Sequence, residues 1–229
     1  NLMFCNNCKH VQLEHVVNPK KLYFNYLYMT GISNQFKIHF KDYAYSVLKK
    51  FNYSSNPKVL EIGSNDCTLL NYFKENNCKT VGIEPAKNLW KKTKNNHEII
   101  NSFYNKKINH YLKKKYVSFD IIIGNNVFAH IDQIKSTFIS LKELMHDQSV
   151  IVLEVSYLLD VINKNLFDTI YHEHLDYHSI TPLIPFFKKI GFKIIDAKRI
   201  KMHGGSIRLY IAKKTHMLPM NTKKINLLI

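Results

Sequence analysis

The sequence predicts an α/β fold: a seven-stranded, mostly parallel sheet with helices on both faces, of the Rossmann-like kind. Three observations carry this. Short apolar runs alternate with helical amphipathic stretches from residue 35 onward, as βαβ units do. A glycine turn, EIGSNDC (61–67), stands between the first such run and the next helix. The last two runs, 191–200 and 206–214, are joined by a short glycine-containing link that suits a hairpin, so the final strand is antiparallel.

In chain order, Phe36, Phe40, Tyr43, Ala44, Val47, Leu48 and Phe51 fall on one face of a helix over 35–51. The segment SSNP (54–57) ends it. A strand beginning at Lys58 leads into the glycine turn, and a helix over 68–76 follows. A second strand closes with VGIEP (81–85), then come a helix over 87–96, a short strand at 98–100 and a lysine-rich helix. The fourth strand is FDIIIGNN (119–126), followed by a helix over 133–145 with Ile134, Phe138, Leu141, Leu144 and Met145 on one side. The fifth strand is SVIVLEV (149–155), and a polar, aromatic insertion separates it from the hairpin. Five parallel strands with helices and a terminal hairpin describe the class I methyltransferase sheet.

Composition limits the alternatives. The 229 residues are 45% hydrophobic and 22% charged with seven glycines and six prolines, which excludes disordered and collagen-like chains. No apolar run is long enough to span a bilayer and no secretory leader is visible, so a cytoplasmic protein with no membrane partner is expected. The formal charge of +16 would suit nucleic acid, but only Arg199 and Arg208 are arginines and the lysines are scattered. That pattern argues against nucleic acid and leaves an anionic small molecule open. A monomer is expected. Cys5 and Cys8 form a Cys-x-x-Cys near the start, which reads as half a zinc site or as a redox pair. With no second pair close downstream, its zinc partners would lie upstream, and the chain reads as a fragment.

The glycine turn lacks the G-x-G-x-x-G of dinucleotide sites, having Gly63 alone with Asn65 and Cys67 at the following alternate positions. Glu84, ending the second strand, would accept both ribose hydroxyls of S-adenosylmethionine, and Glu61 or Asp66 would lie near its cationic amino-acid end. Phe103, Asn125 and Asn126 complete the candidate cofactor residues.

EIGSND (61–66), GIEPA (82–86), NNVFAHI (125–131), FDTIYHEHLDYHS (167–179) and HGGSIR (203–208), in this order, resemble the nucleotide-sugar C-methyltransferases that carry an N-terminal zinc-binding domain. The likeness spans nearly the whole chain. It implies a remnant of the zinc module and a connecting segment over 1–34, a methyltransferase domain over 35–215, and the start of a further domain or tail over 216–229. It also implies transfer of a methyl group to C3 of a nucleotide-linked 4-keto deoxysugar. That carbon becomes a nucleophile only once a base removes its proton beside the carbonyl. By the same likeness His174 is the base, with Tyr171 and Glu173 in its site and His130 near the sugar, where it could donate to the enolate. Tyr26, Tyr28 and His203 are candidate sugar contacts, although the tyrosines read equally as packing and His203 as part of the hairpin turn. One departure stands out: the family's turn ends in glycine where this chain has Cys67, whose β-carbon would crowd the cofactor or shift the loop. An O- or N-methyltransferase of another small molecule, needing no such base, and a zinc-containing nucleic-acid-binding or RNA methyltransferase module remain alternatives.

Overall fold

The computed structural model describes residues 1–53, 56–93 and 96–229. In chain order it contains β1 (Leu2–Phe4), β2 (Val11–Leu13), α1 (Pro19–Tyr23), α2 (Asn34–Phe51), β3 (Lys58–Ile62), α3 (Thr68–Glu75), β4 (Lys79–Ile83) and α4 (Lys87–Thr93). There follow β5 (Glu98–Ile100), α5 (Lys106–Tyr116), β6 (Phe119–Asn125), α6 (Ile134–Glu143), β7 (Met145–Ser156), α7 (Leu158–Asn163), β8 (Asp176–Tyr177), α8 (Ile180–Lys189), β9 (Phe192–Ile200), β10 (Ser206–Lys213) and α9 (Thr222–Asn226). Seven strands form one sheet in the order β5-β4-β3-β6-β7-β10-β9, and β1-β2-β8 form a small second sheet. The strands β3, β4, β5 and β6 pair in parallel, whereas β10 is antiparallel to both β7 and β9. This is the expected sheet, hairpin included. Ser54 and Ser55 of the helix break, and residues 94 and 95 of the helix expected over 87–96, lie outside the described residues. No helix among those described is long and apolar enough to cross a membrane.

The chain divides into two compact units. The first, Asn18–Ile123, packs Phe40, Tyr43, Ala44 and Val47 of α2 into its core along with Leu69, Leu70 and Phe73 of α3 and the apolar residues of β3 and β4. The Ser33 side chain caps α2 by accepting from the Phe36 amide, and Asn52, at φ 43°, ends it in the left-handed conformation that asparagine tolerates. The second unit joins Asn1–Val17 to Gly124–Ile229. Its core includes Phe138 with its ring against Phe128, Phe187 and Phe192 at 5.1, 4.9 and 6.1 Å, beside the fully buried Val150, Val152, Leu209 and Ile211. Buried aromatic edges and faces of this kind stabilise beyond their area.

Candidate functional site

In the first unit the candidate cofactor residues gather where β3 and β4 end. The chain leaves β3 through Gly63 at φ 69°, and the amides of Gly63 and Ser64 both donate to the Ile83 carbonyl, at 2.8 and 3.0 Å. Glu84 follows at once and is 5% exposed. Its Oε2 accepts from the Asn65 amide at 2.7 Å and its Oε1 from the Ala86 amide at 2.8 Å. Burial raises the Glu84 pKa, offset in part by these two amides. A carboxylate offers about four acceptor positions, so two of them remain for hydroxyl groups of a ligand. Glu61 is likewise buried on β3. Phe103, just past β5, packs against Phe24 at 5.9 Å. Tyr26 and Tyr28, tilted against one another, continue a row in which Tyr26 meets Tyr23 and Tyr28 meets Phe36 edge to face. Asn65 binds Tyr28 by donating from Nδ2 to its carbonyl at 3.0 Å.

Cys67 adopts φ 62°, the left-handed region in which glycine is at ease. A residue with a β-carbon thus occupies a backbone conformation that glycine would hold without strain. The thiol is 1% exposed, lies 3.9 Å from Ser64 Oγ, and is pushed up to about 12 by burial and by Glu61. It is an inert core group. Cys67→Gly should leave stability within about 1 kcal/mol of the parent in chemical denaturation, because relief of the roughly 1–2 kcal/mol left-handed cost offsets the lost sulfur packing.

In the second unit, the segment between α7 and β8 brings the candidate base to the turn that follows β6. His174 Nδ1 lies 2.8 Å from the Thr169 carbonyl. A carbonyl only accepts, so the neutral ring carries its proton on Nδ1 and its lone pair on Nε2. The Tyr171 hydroxyl lies 3.3 Å from that Nε2 and donates to it. The rings of His130 and His174 stack at 5.2 Å and 28°. Burial lowers the His174 pKa, with Thr169 and Glu173 opposing the shift. Burial also lowers His130, to about 3, with help from His174 and His178. Both rings are thus neutral at neutral pH, one a base with a directed lone pair and the other a dipole beside it. Glu173, half-buried, also raises the pKa of the Tyr171 phenol, whose shift owes most to burial.

Asn125 ends β6 with both side-chain polar atoms buried and no hydrogen-bond partner among the described residues. Such a group is expected to meet a ligand. Asn126, at φ 52°, donates its amide to the Glu154 carbonyl at 2.7 Å. His203 is exposed in the 3-10 turn Met202–Gly204 between β9 and β10, at φ 51°.

Sequence reasoning missed the support behind this cluster. The amide of Leu175 donates to the Ala129 carbonyl at 2.7 Å, and the Leu13 amide donates to the Leu175 carbonyl at 2.8 Å. β2 pairs with β8, and His10 Nε2 meets Asp176 Oδ1 at 2.7 Å. His178 is buried behind them, its Nε2 donating to the Phe128 carbonyl at 3.3 Å. The only trace of this in the sequence was the density of histidines in IYHEHLDYH. Cys5 and Cys8 are exposed on the β1–β2 turn, with the Cys8 amide 3.5 Å from Cys5 Sγ. That contact and other amides of the turn lower the Cys5 pKa. Among the described residues no group of three or more His, Cys, Asp or Glu side chains could hold a metal ion. The two thiols fit half of a tetrahedral zinc site and no more.

A model of the methyltransferase domain family matches residues 38–197. The chain is 26% identical over 212 residues to the C-methyltransferase NovU of Streptomyces niveus, a match covering 92% of this chain and 50% of that protein. The chain therefore spans about half the length of the curated relative it matches. Among solved structures it is similar to the PH0226 protein of Pyrococcus horikoshii, with a TM-score of 0.63, 11% identity, and 82% and 95% of the two chains covered. It is also similar to the magnesium protoporphyrin IX methyltransferase of Synechocystis, solved with bound S-adenosylhomocysteine, with a TM-score of 0.57, 10% identity, and 78% and 83% covered. These two likenesses concern the fold, which is that of class I S-adenosylmethionine-dependent methyltransferases. Fold and family model agree, and the chain belongs to the methyltransferase domain family.

Proposed function

We propose that the chain is the S-adenosylmethionine-dependent domain of a C-methyltransferase acting on C3 of a nucleotide-linked 4-keto deoxysugar. The observation that carries this reading is His174, a neutral histidine whose Nε2 lone pair is fixed in direction by the Nδ1 bond to Thr169. Transfer to oxygen or nitrogen needs no carbon acid to be ionised, whereas transfer to C3 does. When bound, the cofactor supplies an electrophilic methyl group. His174 Nε2 takes the C3 proton, directly or through the Tyr171 hydroxyl that donates to it at rest. His130, neutral and stacked on His174, donates to the enolate oxygen that forms at C4. Glu173 lends negative charge that favours the protonated base. In the first unit Glu84 accepts the ribose hydroxyls, Glu61 contacts the rest of the cofactor, and Tyr26 and Tyr28 are sugar contacts; in the second, Asn125 is a cofactor contact and His203 a sugar contact.

The similarity to NovU supports a carbon acceptor. Both arginines support a small molecule over nucleic acid, since Arg199 is paired with Asp160 and Arg208 with Glu154, which occupies their guanidinium forks within the fold. A monomeric, cytoplasmic enzyme completes the reading. The deciding experiment supplies the full-length protein with a nucleotide-linked 4-keto-6-deoxyhexose in deuterated water. Enzyme-dependent deuterium at C3 is expected, and methyl transfer without any such exchange capacity would favour an oxygen or nitrogen acceptor.

The cofactor assignment has its own check. Glu84→Ala should weaken S-adenosylhomocysteine binding, measured by calorimetry, by about 1.5–3 kcal/mol, the value of hydrogen bonds to a buried charged acceptor. Unchanged affinity would remove Glu84 from the ribose. For the metal, Cys5 and Cys8 supply two zinc ligands whose partners lie outside this sequence. Near-stoichiometric zinc in the full-length protein should disappear in the Cys5→Ser, Cys8→Ser variant.

A further inference from the structure

Hydrogen bonds fasten the segment 24–31 to the elements that follow β3 and β4. The Phe24 carbonyl accepts from the Lys87 amide at 3.1 Å and the Tyr26 carbonyl from Asn88 Nδ2 at 2.8 Å. The Tyr28 carbonyl accepts from Asn65 Nδ2 at 3.0 Å, and the Thr30 amide donates to Asn65 Oδ1 at 3.2 Å. Thr30 Oγ1 donates to Asp66 Oδ1 at 2.7 Å and the Gly31 amide to Asp66 Oδ2 at 2.6 Å. Thr68 adds two more donors to Asp66 Oδ1, its amide at 3.2 Å and its hydroxyl at 2.6 Å. The approach is close enough that a β-carbon on Gly31 would stand 2.6 Å from Thr68 Oγ1 and 2.9 Å from Asp66 Oδ2.

Asp66 and Glu84 therefore differ in kind. Glu84 uses two of its roughly four acceptor positions, whereas Asp66 meets four donors from three residues. Three of the four converge on Oδ1, and the Gly31 amide holds Oδ2. We infer that Asp66 is a latch that fastens segment 24–31 to the cofactor turn, a positioning residue and not a ligand of the cofactor. Asn65 makes the latch responsive. Its amide binds the Glu84 carboxylate at 2.7 Å while its side chain holds Tyr28 and Thr30. A ligand that orders Glu84 and Asn65 also orders the strap that carries Tyr26 and Tyr28, so the cofactor binds first and prepares the surface for the second substrate. This order rests on the cofactor reading above.

The test uses the full-length protein with S-adenosylhomocysteine as probe, comparing the parent with Asp66→Asn, Thr30→Val and the double variant. The readouts are the dissociation rate of the probe and amide hydrogen exchange over 26–32. Each single variant should speed exchange in the strap and probe release by about tenfold, with the double variant no worse than the worse single one. Thr30→Val leaves Asp66 free to hold Thr68 and the start of α3, so it reports on the latch even if Asp66→Asn folds poorly. Parent-like strap exchange and release in Thr30→Val, with weakened binding in Asp66→Asn alone, would make Asp66 a direct ligand and overturn the latch. Saturable binding with no effect of either variant would overturn it too. Absence of probe binding by the parent would overturn the cofactor reading and the binding order with it, while strap exchange in the unliganded variants would still show whether the latch closes.

Discussion

His174→Ala in the full-length protein is expected to slow both methyl transfer and C3 hydrogen exchange of a nucleotide-linked 4-keto sugar by about 10²–10⁴-fold, the usual worth of a positioned general base. Affinity for S-adenosylhomocysteine should stay at the parent value, since the substitution removes a proton acceptor and no proposed cofactor contact. The pH dependence gives a second reading. Burial lowers the His174 pKa from its ordinary 6.5, so the ring is unprotonated and competent at neutrality. The rate should therefore climb with pH through a midpoint below 6.5 and be level by neutral pH. A parent enzyme whose rate still rises steeply above pH 8 would point instead to the Tyr171 phenol, whose pKa is raised by burial and by Glu173. Full retention of C3 exchange by His174→Ala would also move the base to Tyr171, and Tyr171→Phe would then be the inactive variant.

Arg208→Leu is expected to destabilise the protein by about 3–5 kcal/mol, the cost of leaving one charge of a buried pair behind. Arg208 is 3% exposed and Glu154 2%. They stand opposite one another across β10 and β7, with Nε 2.8 Å and Nη2 2.7 Å from Glu154 Oε2. The Glu154→Leu, Arg208→Leu double variant should recover most of the loss in equilibrium unfolding, because two apolar side chains need no partner. A single-variant cost below about 1 kcal/mol would mean that water reaches the pair and screens it.

Much of the seven-stranded sheet could be read because its strands are buried apolar runs punctuated by glycine, asparagine or helix starts. Lys58–Ile62, Glu98–Ile100 and Phe119–Asn125 fall where pattern placed them. Strand β7 begins four residues early, at Met145, because α6 stops at Glu143 and the polar His146, Asp147 and Gln148 extend the strand beyond its apolar part. The insertion after β7 concealed α7 and α8. In α8 the buried Ile180, Leu183 and Phe187 have helical spacing, but Pro182 and Pro185 read as breaks; the first sits in the opening turn, where no amide is needed. Strands β1, β2 and β8 have two or three residues each, too few to show an alternation, and their existence depends on partners far away in sequence. At the candidate site, motif likeness brought forward the candidate residues. What could not be read was how each is placed: that Asp66 faces Thr30 and Gly31, that Cys67 takes a left-handed backbone, and that His174 is tautomerically fixed by the Thr169 carbonyl, five residues before it. Those depend on tertiary placement, which no local pattern encodes.

The pairing of β2 with β8 has a consequence for synthesis. His10 and Asp176 are 166 residues apart, so the β1–β2 hairpin leaves the ribosome long before the segment it pairs with. At about 5–20 residues per second it waits roughly 10–30 s for its partner strand. During that interval Val11 and Gln12 of β2 lack the Tyr177 and Asp176 that face them in the finished sheet. The surroundings of His174 therefore depend on a pairing of high sequence separation, and a nascent chain stalled short of residue 176 would lack the strand that pairs with β2.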